Sequence, residues 1–317
     1  MEASFTGLFS LTEVNMKPWF FLLILVLGIL VVYFWPVHRA AFSKVYARVP
    51  ADKTASLQAF RSDNPVTTLN VDGVDWEYLA KGDEPETILF LHGMTGSYDI
   101  WWQQIKALQS DYRVIAVTYP AVNTLEDMEK GVLAILDHEG VDDFNVVGTS
   151  LGGYFAQYLI AKYPDRIQKA VLANTFPPND LIKEKNGTIG GLIPYLPDWL
   201  VMNVLRGSFS GSIYSASGND ELTLAFLNEL SYRRVSRAQV AGRYLCVVEK
   251  FEPPVNTTVP IMIIEANNDP LVELALREQL KEIYPAAKVV TVSNGHFPYI
   301  SMPDFYTQQL QEFFGSK

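Results

Sequence analysis

Short apolar runs alternating with helical stretches constrain this chain more than any other feature. Thr87–Leu91, Arg113–Val117, Phe144–Val147, Ala170–Leu172, Ile261–Ile264 and Val289–Val292 have strand length and read as strands buried on both faces. Between them, helical spacing appears at about Tyr98–Leu108, Leu125–His138, Gly153–Tyr163, Glu273–Ile283 and Pro303–Phe314. That rhythm is the signature of a mostly parallel sheet with right-handed helical crossovers. A hairpin precedes it: Thr67–Val71 and Val74–Ala80 flank Asp72-Gly73, a dipeptide that accepts positive φ in a tight turn. The expectation is an α/β domain over residues 65–317 with about eight strands and flanking helices. Residues of about 176–258 are too long for a loop and too helical to be one, so they read as a helical cap inserted over the sheet.

The N-terminus follows different rules. From Trp19 to Trp35 there is no charge, aromatic residues mark both ends, and Pro18 and Pro36 bracket the run. The reading is a tail over 1–18, a transmembrane helix over 19–36 and a juxtamembrane connector over 37–64. A cleaved signal peptide fits less well, because Glu2 and Glu13 offset Lys17 in the leading segment and the nearest small residues follow Arg39. Arg39, Lys44, Arg48 and Lys53 all lie after the apolar run, so the positive-inside rule places the folded domain of a single-pass protein in the cytoplasm.

Charge and cysteine content exclude some classes. A net charge of -10 argues against a nucleic-acid partner, which would need clustered Lys and Arg. The one cysteine, Cys246, cannot form an internal disulfide and reads as a small buried hydrophobe. The sequence calls for no metal and no cofactor, and it carries no signal of oligomeric state.

The chemistry-bearing residues fall at strand ends. Phe144–Val147 runs into Gly148-Thr149-Ser150-Leu151-Gly152 and then a helix, the setting in which G-x-S-x-G lifts a nucleophilic serine clear of the sheet. Gly148 and Gly152 leave room for backbones to pass closely. A serine hydroxyl needs a base, and His296 lies just past the last strand; the acid that orients it is expected at Asp269, with Glu265 as substitute. An oxyanion would be held by backbone N–H groups of Leu151 and Met94, the latter in a loop whose tight backbone path Gly93 and Gly96 permit. His92 reads as a support for that loop. Trp101 and Trp102 fit either the entrance to a pocket or ordinary packing of the next helix.

These residues resemble the α/β-hydrolase superfamily over Thr67 to Phe314, through Leu91-His92-Gly93, Gly148-Thr149-Ser150-Leu151-Gly152-Gly153, Asn268-Asp269-Pro270-Leu271-Val272 and Gly295-His296-Phe297. The resemblance implies a serine hydrolase, carboxylesterase- or lipase-like, acting on a small-molecule, lipid or thioester substrate, with the membrane as partner through the N-terminal helix. Many members carry D-x-P-G-x-G where this chain has Thr118-Tyr119-Pro120-Ala121, a departure that bears on the substrate pocket. A closer likeness is to maspardin-like proteins, through Tyr119-Pro120, Leu136-Asp137-His138, Leu172-Ala173-Asn174-Thr175-Phe176 and Phe297-Pro298-Tyr299. That likeness implies a binding or adaptor role. The maspardin-like pattern lacks the histidine and acid that this chain keeps at His296 and Asp269, which implies an active enzyme.

Overall fold

A computed structural model describes residues 17–315. All but the end of the expected N-terminal tail, with Glu2 and Glu13, lies outside the described residues. Eight strands form one sheet: β1 (Thr67–Val71), β2 (Val74–Lys81), β3 (Thr87–Leu91), β4 (Arg113–Thr118), β5 (Phe144–Thr149), β6 (Ile167–Ala173), β7 (Ile261–Ala266) and β8 (Lys288–Val292). Their order is β1-β2-β4-β3-β5-β6-β7-β8. Only β1–β2 and β2–β4 are antiparallel; every other pairing is parallel. The β1–β2 turn takes positive φ at both Asp72 (53°) and Gly73 (85°), which matches the right-handed strand twist.

Alternation along the central strands divides the core in two. Ile88, Phe90, Val114, Ala116, Val147, Val171 and Met262 face helices Trp102–Leu108 and Pro303–Gly315 and part of the cap. Leu89, Leu91, Ile115, Val146, Leu172 and Ile263 face helices Leu125–His138, Leu151–Lys162 and Leu274–Ile283. The central strands are thus covered on both faces, as their near-continuous apolar sequences require. β8 differs from the expectation. It is the sheet's edge, and Val289 is 43% exposed. Trp101 and Trp102 are buried, Trp101 against Phe90 and Tyr299 and Trp102 stacked on Phe226 of the cap, so packing is their role.

Two N-terminal expectations change. The apolar run forms a helix at Pro18–Tyr33 whose side chains are almost all exposed, but it has 16 residues. At 1.5 Å per residue that is about 24 Å, short of a hydrocarbon core of about 30 Å. No helix among the described residues is long and apolar enough to cross a membrane. The expected transmembrane helix is therefore corrected, and the single-pass topology with a cytoplasmic domain loses its support. Residues 37–64, expected as a connector, pack as part of the domain: Tyr46, Val49, Leu57 and Phe60 are in the core.

A buried ion network secures that packing. Asp99 has no exposed side-chain surface and accepts hydrogen bonds from Arg61 Nε (2.7 Å), from both terminal nitrogens of Arg234 (2.7 and 2.8 Å) and from Ser97 Oγ (2.5 Å). Arg61 also forks onto Glu229 (2.9 and 2.8 Å), which accepts from the Tyr46 hydroxyl (2.7 Å). Burial alone would raise the Asp99 carboxyl, but Arg234 and Arg61 outweigh it and hold the group far below the usual carboxylate range. Removing this carboxylate leaves two arginines without their buried partner. Asp99→Ala should lower stability by about 3–5 kcal/mol in urea denaturation, and an unchanged midpoint would refute this account of the N-terminal packing.

Candidate active site

Every expected reactive group lies at the carboxyl edge of the sheet, where parallel strands hand over to loops. Ser150 follows β5 with φ 53° and ψ −121°, a strained conformation for a residue with a side chain, and caps helix Leu151–Lys162. Its backbone is held on both sides: Ser150 N–H donates to Ala173 O (3.0 Å), and Thr175 Oγ1 donates to Ser150 O (2.7 Å). The turn is possible because a Cβ at Gly148 would stand 2.3 Å from Gly152 O, and one at Gly152 would stand 2.1 Å from Leu91 O. Only hydrogen fits there. Gly93, on the loop after β3, lies so close that a Cβ there would be 3.6 Å from Ser150 Oγ.

Asp269 follows β7 and His296 follows β8. His296 Nδ1 lies 2.8 Å from Asp269 Oδ2 and 3.0 Å from Oδ1, with both side chains buried. The Leu271 and Val272 N–H groups donate to Asp269 Oδ1 (2.8 and 3.1 Å), and Asn174 Nδ2 donates to Oδ2 (2.9 Å). Burial pulls the carboxyl upward, yet His296 and these donors more than offset it and keep Asp269 below its ordinary range. Asp269 therefore stays an anion and presents acceptors to the imidazole. Glu265, the substitute, is engaged elsewhere, by Lys281 Nζ (3.2 Å) and Thr291 Oγ1 (3.1 Å). The acid and histidine loops are tied together, since Gly295 N–H donates to Asn268 Oδ1 (2.9 Å) and Asn268 Nδ2 donates to Ala216 O of the cap (2.9 Å). Among the described residues no hydrogen bond joins Ser150 Oγ to His296; such bonds are often long until substrate binds.

Asn174 escaped the sequence reading. It follows β6 at φ 42°, and its amide bridges Asp269 Oδ2 and Gly295 O (3.2 Å). It links the loop beside Ser150 to both the acid and the histidine loop. The available signal was an Asn just after a buried strand, since Asn tolerates positive φ.

The loop after β3 carries Met94, whose N–H, like that of Leu151, has no protein acceptor among the described residues. His92 supports this loop from below: it is fully buried, its Nδ1–H donates to Gly93 O (2.6 Å), and its Nε2 accepts from Tyr119 N–H (3.3 Å). That pair of bonds requires the neutral ring. Burial first, and Arg243 second, hold His92 well below 6.5. Cys246 is buried and its thiol is pushed up to about 12, chiefly by burial, so it is inert. Among the described residues no cluster of His, Cys, Asp or Glu is suited to a metal ion.

Residues 86–245 match the family described as alpha/beta hydrolase fold. The chain belongs to that family. Among curated proteins, this hydrolase-fold chain is similar to maspardin of Mus musculus, 26% identical over 81% of this chain and 87% of the relative. Among solved structures it resembles an enol-lactonase from Burkholderia xenovorans LB400 (TM-score 0.69, 18% identity, 79% of this chain and all of that one). It also resembles a membrane phospholipase A described as a bacterial virulence factor (TM-score 0.64, 18% identity), which covers 95% of this chain and 98% of its own. At such identities the solved structures speak for the fold alone.

The His92 arrangement predicts a pH response. The unfolded histidine takes up a proton as pH falls past about 6.5, whereas the folded one stays neutral, so His92 contributes stability above that pH that is lost as pH drops below it. Urea titrations from pH 7 to pH 5 should show stability falling by up to about 1.4 kcal/mol per pH unit from this group. The slope should be shallower in His92→Asn; equal slopes would contradict the buried neutral ring.

Proposed function

We propose that this chain is a serine hydrolase that cleaves carboxylic esters with Ser150, His296 and Asp269. The observation that carries the reading is the strained Ser150 turn on the same sheet edge as a buried Asp269–His296 pair. His296, its Nδ1–H held by Asp269, takes the Ser150 proton on Nε2 as Oγ attacks the ester carbonyl. The Met94 and Leu151 N–H groups stabilise the oxyanion that forms. Collapse expels the alcohol, which takes the proton from His296, and water then repeats the sequence to release the acid. Asp269 stabilises the transient imidazolium without being protonated itself.

The N-terminal helix favours lipid esters as substrates. Its apolar side chains, from Trp19 at 60% to Val32 at 57% exposure, form an uncovered surface larger than a water-soluble protein sustains, and a lipid surface would cover it without being crossed. The helix adjoins the cap, where Trp199 Nε1 donates to Val32 O (2.7 Å), and the cap itself exposes Ile189, Leu192 and Tyr195. A second reading, a non-enzymatic binding protein, is favoured by the likeness to maspardin.

A fluorophosphonate probe separates the two. Wild type should label and Ser150→Ala should not, while Asp269→Asn should label and turn over esters about 10³–10⁴-fold more slowly. An unlabelled wild type, beside a control hydrolase that labels, would support the binding protein. Full-length protein should float with phosphatidylcholine vesicles on a density gradient, and a chain lacking residues 1–35 should not; equal flotation would remove the helix as the attachment.

A further inference from the structure

The cap reaches into the catalytic loop through one buried cation. Arg243 lies on cap helix Arg237–Val248, has no exposed surface, and donates from one terminal nitrogen to Met94 O (2.9 Å) and Gly96 O (3.1 Å). Its other terminal nitrogen donates to Tyr119 O. No carboxylate pairs with it among the described residues. Burial pushes its guanidinium down to about 10, so it is still a cation at neutral pH.

A buried charge met by carbonyls and by the face of the Tyr119 ring, 5.7 Å away, with no carboxylate beside it, is costly, and a well-packed apolar side chain would serve stability as well or better. Its position points to another role. The peptide group is planar, and no cis bond occurs among the described residues, so fixing a C=O fixes the direction of the N–H in the same plane. His92 pins Gly93 O, whose peptide carries the Met94 N–H. Arg243 pins Met94 O, in the next peptide. With both planes flanking Met94 held, the Met94 N–H has one direction left, on a loop whose Gly93 lies against Ser150. The cap helix comes close enough only because its neighbour is glycine: a Cβ at Gly242 would stand 2.1 Å from Val122 O.

We propose that Arg243 is a positioning residue for the oxyanion hole, which clamps the Met94 carbonyl from the cap and so stops Met94 turning about the peptide plane that His92 holds, keeping the Met94 N–H aimed before substrate binds. The inference rests on the serine-hydrolase reading. Arg243 touches no reacting atom; it acts through Met94, and the expected signature is a defect in binding the tetrahedral state that spares the ground state.

The test uses the full chain and three variants: Arg243→Met, which keeps bulk without charge, Arg243→Lys, which keeps charge without the fork, and Cys246→Ala, a buried change on the same helix outside this contact. The measurements are kcat and KM for a p-nitrophenyl acyl ester, inhibition by a trifluoromethyl ketone, whose hemiketal oxyanion occupies the hole, and thermal unfolding. Arg243→Met should lower kcat by about 10–100-fold with KM within about twofold, and weaken the ketone by a similar factor, less than the roughly 10²–10³-fold cost of removing an oxyanion donor outright because the Met94 N–H is misaimed and not lost. Arg243→Lys should fall between it and wild type, and it carries the test if Arg243→Met does not fold. Cys246→Ala should lose stability while its ketone affinity stays that of wild type.

Folded Arg243 variants with wild-type kcat and ketone affinity would overturn the inference. So would a loss of ketone affinity in Cys246→Ala matching that of the Arg243 variants, since the effect would then be general loosening of the helix. A wild type that fluorophosphonate does not label would remove the hydrolase reading and this inference together, whereas a labelled wild type with unaffected Arg243 variants would remove this inference alone.

Discussion

Asp99 is a charge with nowhere to go but its partners. A carboxylate without solvent contact is tolerable only when its oxygens are met by cations and donors, and those come from Arg61 before the sheet, Arg234 in the cap and Ser97 beside it. Satisfying one side chain therefore fixes three regions that are distant in sequence. Helix Ala51–Asp63 is held against the domain, the segment after the Met94 loop is anchored at its far end, and the cap is set over the sheet. The site's geometry depends on that arrangement, because the loop that carries Met94 is stretched between β3 and Asp99.

Within the site, different groups meet different demands on one sheet edge. Ser150 is half-buried in a strained backbone conformation, which close packing of Gly148 and Gly152 under the turn makes sustainable. Asp269 is kept ionised despite burial first by His296 and then by hydrogen bonds from Asn174 and from its own turn. His92, only a short way along the chain from Met94, is kept neutral by the same burial that Asp269 resists. Asp269 and His92 are both buried, yet the groups around Asp269 keep it charged while those around His92 leave burial to keep it neutral.

What could be read from the sequence was whatever is written locally. Strand rhythm, the Asp72-Gly73 turn, the strand–Gly-x-Ser-x-Gly–helix passage and the Asp and His at later strand ends each occupy a short window with a distinct pattern. The groups that escaped act across long separations: Arg243 meets Met94 from 149 positions away, and Arg61 meets Glu229 from 168. No window contains such pairs, and a lone arginine on a cap helix looks like surface charge until its carbonyl partners are known. Residues 37–64 were misjudged for a related reason. Their main helix buries only Leu57 and Phe60, too thin an apolar stripe to announce a packed face. The N-terminal run is helical, but the helix has 16 residues, too few for the span that its apolar composition implies.

Asn174 holds both Asp269 and the turn that leads to His296, yet it sits just past β6, the strand whose exit also begins the cap. The cap is therefore not an appendage that can be exchanged freely among relatives. Its root at β6 sets the spacing of the acid and histidine loops, and its last helix supports the loop after β3. A graft from another member of the family would have to supply its own braces for both ends of this sheet edge, whereas side chains within the existing cap could change without loosening either.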